Sequence, residues 1–97
     1  MKNDEIIYSI RTTNQFRKSL KRMSKRGYNL DLLDNVVDIL SKGKKLPKKN
    51  KDHYLKGNYI GYCECHIAPD WLLIYKITEK DLILLLTDTG SHSDLFE

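Results

Sequence analysis

The sequence predicts one α+β domain spanning residues 1–97, an antiparallel sheet packed against an N-terminal helical hairpin in the order β-α-α-β-β-β with a short C-terminal turn. Three observations predict it. Two amphipathic helical patterns fill the first half, and nearly all strand-like runs lie in the second. A chain of 97 residues also has enough apolar material (40%) for one core and too little length for two.

Residues 5–11 alternate, with Ile6, Tyr8 and Ile10 on one side, and predict a short strand. Thr12, followed three residues later by Gln15, reads as a capping box opening a helix. In that helix Phe16, Leu20 and Met23 form one apolar stripe, and cations cover the other faces. Gly27 is a natural stop and Asn29 a natural cap for a second helix, whose buried stripe is Leu33, Val36, Val37 and Leu40. Lys42 and Gly43 close it, and residues 44–51, with Pro47, are expected to form a mobile polar loop. Residues 58–67 are rich in aromatic and β-branched types and predict a strand. Ala68-Pro69-Asp70 turns the chain into a nearly all-apolar run from Trp71 to Thr78, as in a central strand. Glu79-Lys80 predicts a hairpin turn before another buried strand over residues 81–87. Thr89-Gly90-Ser91 breaks that strand, and Ser93 can cap a final turn carrying Leu95 and Phe96.

No apolar run approaches bilayer length, the longest being Leu82 to Leu86, which argues against a membrane protein. The N-terminal Met-Lys-Asn-Asp-Glu lacks the apolar core of a secretory signal, so a cytoplasmic location is expected. Cys63 and Cys65 lie on one face of a strand, an awkward spacing for a mutual disulfide, and read as small buried thiols. A zinc site built from Cys63, Cys65 and His66 fails because Cys65 and His66 face opposite sides of a strand. No metal and no cofactor is expected. The net charge of +4 is unevenly spread: Arg17, Lys18, Lys21, Arg22, Lys25 and Arg26 form one basic block, and residues 42–56 carry another. Such clusters suit a polyanion or an acidic partner, although each alone is also what a solvated surface looks like.

All three histidines lie in the second half, each beside a turn signal and near a carboxylate or a lysine. Histidine is the side chain best suited to moving protons near neutral pH. Cleaving RNA without a metal needs a base for the ribose 2′-OH, an acid for the departing 5′-oxygen, and donors for the charge on phosphorus. His53, His66, His92 and Asp70 are the candidates for proton transfer, and Lys51 and Lys56 for charge. Trp71, Tyr62 and Phe96 could stack on bases. Singly, each histidine also fits an ordinary strand, turn or loop position.

The second half resembles the YafQ branch of the RelE/ParE toxin superfamily, the toxins of type II toxin–antitoxin pairs. The matching pieces are Lys51-Asp52-His53-x-Leu55-x-Gly57, Gly61-Tyr62, Cys65-His66-Ile67-x-Pro69-Asp70-Trp71-x-Leu73-Ile74-Tyr75-Lys76 and Thr89-Gly90-Ser91-His92-Ser93-x-Leu95-Phe96. The resemblance implies a RelE-like fold and an mRNA interferase, an endoribonuclease that cuts mRNA in the ribosomal A site. It also implies a cognate antitoxin that holds a monomeric toxin silent within a hetero-oligomer. In this branch the residues matching His53, His66, Asp70 and His92 form the active site, and the one matching Phe96 helps place the substrate. The expected roles are His92 as general acid, Asp70 or His66 as base, and His53 orienting or neutralising the phosphate. The basic first helix and the loop from Lys42 to Lys56 are expected to contact ribosomal RNA.

One position departs from the pattern. Where family members usually carry a phosphate-stabilising arginine, two residues before Gly90, this chain has Asp88. An aspartate about 4 Å from a phosphate would be repelled by roughly 4 kcal/mol at intermediate dielectric. Asp88 must therefore face away, pair with a lysine or mark a weakened enzyme. The alternative function is a weakened or non-catalytic relative that binds a topoisomerase or only titrates its antitoxin.

Overall fold

Strand β4, Trp71–Thr78, is the centre of the structure, a computed structural model that describes residues 7–96. It pairs antiparallel with β3, Cys63–Ala68, on one side and β5, Ile83–Gly90, on the other. Burial on both faces explains its unbroken apolar run: Trp71 through Tyr75 are all buried. Before them in the chain come β1, Ser9–Thr12, helices α1, Asn14–Lys25, and α2, Leu30–Ser41, and a two-residue strand β2, His53–Tyr54. A short helix α3, His92–Phe96, follows β5. The sheet order is β1-β5-β4-β3-β2.

The sequence expectation of an α+β fold with an N-terminal helical pair holds, with one change in the sheet. β1 runs parallel to β5, pairing Ser9 with Ile83 and Thr12 with Leu86, so the sheet is mixed and antiparallel only from β2 to β5. A parallel neighbour needs a long crossover, and α1, α2 and the strands that follow supply one before the chain returns beside β1. Glu5 and Ile6, the start of the expected first strand, lie outside the described residues. The cap of α1 moves one residue along. Thr12 stays in β1, and it is Thr13 whose hydroxyl oxygen accepts from the Phe16 N–H at 2.9 Å and donates to the Thr87 carbonyl at 2.7 Å. Asn29 caps α2 as expected, accepting from the Asp31 N–H at 3.0 Å.

Both helices cover one face of the sheet. Phe16, Met23, Leu33, Val36, Val37 and Leu40 meet Cys65, Ile67, Trp71, Leu73, Tyr75, Leu84 and Leu86 in a single core. Side chains alternate across a strand, so Glu64 and His66 of β3, with their partners Ile74 and Leu72 of β4, face the opposite side. The expected strand over residues 58–67 begins only at Cys63. Ahead of it, a 3-10 turn at Gly57–Tyr59 and left-handed glycines at Gly57 (φ +66°) and Gly61 (φ +93°) coil the backbone instead. The loop before β2 is anchored, because the buried Asn50 amide donates to the His66 carbonyl at 2.7 Å.

Candidate active site

Leu72 pairs with His66 on one side and with Gly90 on the other, and this cross-strand row builds the site. It sets the end of β5 two strands from His66, about 10 Å at the usual strand spacing. The chain then folds back as α3, which brings the His92 ring to 5.7 Å from the His66 ring, centroid to centroid, edge to face. Asp70, in the β3–β4 turn, closes the group. Its Oδ1 accepts from the His92 ring Nδ1 at 2.8 Å and from the His92 backbone N–H at 3.2 Å. Those bonds, the ring bond first, hold the Asp70 carboxyl below its ordinary range. An ionised carboxylate can only accept, so Nδ1 carries the proton and Nε2 of His92 is left for chemistry.

The turn into α3 is fixed from two directions. Ser91 and Asp94 cap reciprocally: the Ser91 N–H donates to Asp94 Oδ2 at 2.9 Å and the Asp94 N–H to Ser91 Oγ at 3.2 Å. The expected cap, Ser93, lies inside the helix instead. Arg26, just past α1, grips Asp94 with both guanidinium nitrogens at 2.8 and 3.1 Å. Arg26 foremost, and then the Ser91 N–H, hold the Asp94 carboxyl well below the carboxylate range. Gly90 is needed where it stands, since a Cβ there would sit 2.8 Å from the Asp94 Cβ.

His53 joins the same face one pleat away. It pairs across strands with Glu64, two residues before His66, and its Nε2 lies 3.4 Å from Glu64 Oε1. Its Nδ1 is 2.7 Å from the carbonyl oxygen of Lys51, a residue in the left-handed region (φ +47°). Both ring nitrogens therefore face acceptors. Glu64 was not foreseen from sequence; a lone carboxylate two residues before a histidine in an otherwise apolar strand was the signal. The lysines divide. Lys51, with Lys49, lines a groove of about 390 Å³ whose wall includes His66. Lys56 is exposed, and no described side chain pairs with its ammonium.

Trp71 departs from expectation, and Asp88 follows one of the alternatives left open for it. Trp71 cannot stack on a base: it is fully buried, its Nε1–H donates to Thr89 Oγ1 at 2.8 Å, and Tyr28 packs edge-on against it at 5.2 Å. It opens β4 on the helix-covered face with Leu73 and Tyr75. Asp88 is committed to α1. A register irregularity in β5 opposite Ile74 and Tyr75 accompanies its turn towards α1, where it accepts from the Ser19 hydroxyl at 2.6 Å and from the Thr89 N–H at 2.8 Å. Ser19 is itself fully buried.

Residues 8–97 match the family of bacterial toxins of type II toxin-antitoxin systems, YafQ. This chain belongs to the YafQ toxin family. The mRNA interferase toxin YafQ of Escherichia coli K12 is 38% identical over 88 residues, 90% of this chain and 94% of that protein. The structure superposes on the E. coli DinJ-YafQ toxin–antitoxin complex with a TM-score of 0.85 at 36% identity, covering 95% of this chain and 100% of that one. It superposes on a metal-bound toxin from Helicobacter pylori with a TM-score of 0.87 at 44% identity, covering 92% and 99%. The YafQ fold, with its mixed sheet and helices, thus carries the cluster described above.

Proposed function

We propose that this YafQ-family toxin is an endoribonuclease that cuts mRNA on the ribosome by acid–base chemistry. The observation that carries the reading is the His66–His92–Asp70 group, in which two imidazoles face one another and one is held by a carboxylate. His66 takes the proton from a ribose 2′-OH, the freed oxygen attacks phosphorus, and the bond to the 5′-oxygen breaks. His92, as imidazolium, gives its Nε2 proton to that leaving oxygen. The products are a 2′,3′-cyclic phosphate and a 5′-hydroxyl. Asp70 is already committed to His92, so its part is to orient the ring, which leaves the base role to His66. His53, between Glu64 and the Lys51 carbonyl, orients the phosphate together with Lys51; Lys56 adds charge further along the loop. Phe96 stands one helical turn from His92 on α3 and helps seat the nucleotide.

The H. pylori relative was solved with metal bound. Here no group of three or more His, Cys, Asp or Glu among the described residues is arranged to hold one. A cognate antitoxin binds and silences the toxin, in keeping with the E. coli DinJ-YafQ complex, and the toxin is monomeric within a toxin–antitoxin hetero-oligomer. No described helix is long and apolar enough to cross a membrane. A ribosomal target is in keeping with a cytoplasmic location. The test is induced expression followed by mapping of transcript ends in translated and untranslated versions of one message. Cuts confined to the translated message support the reading, and growth arrest without cuts would favour a binding toxin.

A further inference from the structure

Beside His92 lies a group of aromatic rings that the proton-transfer scheme does not use. Tyr59 meets Phe96 at 5.9 Å between centroids and Tyr62 at 6.5 Å, both edge-on. Lys76 places its ammonium 5.3 Å from the centre of the Tyr62 ring. Lys76 belongs to the same face of β4 as Leu72 and Ile74, the partners of His66 and Glu64. The backbone beneath the tyrosines is fixed: the Tyr62 N–H donates to the Tyr59 carbonyl at 2.9 Å, and the Tyr62 carbonyl accepts from the Leu55 N–H at 2.9 Å. Two left-handed glycines, Gly57 before Tyr59 and Gly61 between the tyrosines, make that tight coil possible. Yet Tyr59 and Phe96 remain 38% and 45% exposed.

Apolar rings held rigid, left open to solvent and rimmed by a cation suit one ligand chemistry. A nucleobase stacks on an aromatic face while a cation takes its phosphate. Position narrows this further. Phe96 is four residues from His92, about 6 Å along one side of α3. His92 is the group that protonates the leaving 5′-oxygen, so the rings stand on the leaving-group side of the scissile bond. We infer that Tyr59, Tyr62 and Phe96, with Lys76, form a stacking subsite for the base immediately 3′ of the cleaved phosphate. This rests on the nuclease reading and adds Tyr59, Tyr62 and Lys76 to the substrate contacts.

The test uses the full-length toxin and ribosomes programmed with a message made uncleavable by a 2′-deoxy nucleotide 5′ of the cut. The fluorescent purine 2-aminopurine is placed either 3′ or 5′ of that bond. Wild-type toxin is expected to quench the 3′ probe. Tyr59→Ala and Tyr59→Leu are both expected to lose the quenching and to weaken binding roughly 5- to 150-fold, whereas Tyr59→Phe retains both. The leucine variant keeps apolar bulk, so a folding defect would separate it from alanine where loss of stacking would not. Lys76→Gln is expected to flatten the salt dependence of binding. Unchanged quenching and affinity in Tyr59→Leu, or quenching of the 5′ probe alone, would overturn the subsite while wild-type cleavage of the unmodified message leaves the nuclease reading standing. A wild-type protein that neither cuts that message nor binds the probe removes both.

Discussion

Asp88 stands where the resemblance implies an arginine, and its bonds say what it does instead. With Ser19 fully buried and its hydroxyl donated at 2.6 Å, Asp88 ties β5 to α1. Removing it takes away the acceptor of a buried O–H, although Ser19 Oγ still accepts from the Gln15 side-chain N–H at 3.1 Å, and an unsatisfied buried donor costs about 1–3 kcal/mol. Asp88→Ala is therefore expected to lower the Tm by several degrees in thermal unfolding, and Asp88→Asn by much less, with cleavage per folded molecule little changed in both. A collapse of cleavage at unchanged Tm would instead place Asp88 in the chemistry. His92→Gln should do the reverse, slowing the cleavage step roughly 10²- to 10⁴-fold while leaving antitoxin affinity intact. Wild-type growth arrest in that variant would remove His92 as the acid. The sequence could nominate His53, His66, Asp70 and His92 because imidazoles beside turns and a carboxylate are chemically suggestive. It could not show that His66 meets His92, because that depends on the register through Leu72, which is set by three strands at once. Nor could it separate Trp71 from the exposed aromatics, since burial of a ring is decided by the face its strand presents.

Helix α3 is short, and its orientation is imposed from outside. It is held by the Ser91–Asp94 capping pair and by Arg26 reaching across from the end of α1. Because Asp94 titrates below its ordinary range when folded, this clasp is complete above that range and is lost as pH falls through the lowered value. Stability should fall with pH in that acid window, and Arg26→Met should remove part of the slope; a variant with the wild-type acid profile would show that the clasp contributes nothing. Gly90→Ala presses a methyl into Asp94 at 2.8 Å and should displace α3. Cleavage is expected to fall more steeply than antitoxin binding, and equal losses in both would mean general unfolding. At this scale the periodic elements were legible in sequence, namely α1, α2, β4 and the body of β5, because a stripe or an unbroken apolar run states what is buried. The parallel pairing of β1 and the two-residue strand β2 were not. Both are settled by which edges of the sheet remain open, a property of the assembled strands and not of any local pattern.

Across the whole molecule, charge is sorted by helix. Lys18, Lys21, Arg22 and Lys25 are exposed along α1 at positions i, i+3, i+4 and i+7, one continuous stripe about 10 Å long. Asp31, Asp34 and Asp38 form the opposite stripe on α2. Neither is spent on the other: the ion pairs of these helices among the described residues are Lys42 with Asp38 and Arg26 with Asp94. Like charges stacked at helical spacing repel by a few tenths of a kcal/mol per pair, an unfavourable arrangement that a polyanion reverses. The stripe also leads to the site, since its last member precedes Arg26, which holds α3 and thereby His92. Ribosomal RNA fits such a surface, and the contact should behave as counterion release. For the inactive His92→Gln protein binding to ribosomes, log K should fall linearly with log salt. Each stripe cation changed to glutamine should flatten that slope by roughly 0.7–0.9, if it engages a phosphate, without altering codon choice. A slope that stays fixed when all four are replaced, with antitoxin affinity falling instead, would assign α1 to the antitoxin.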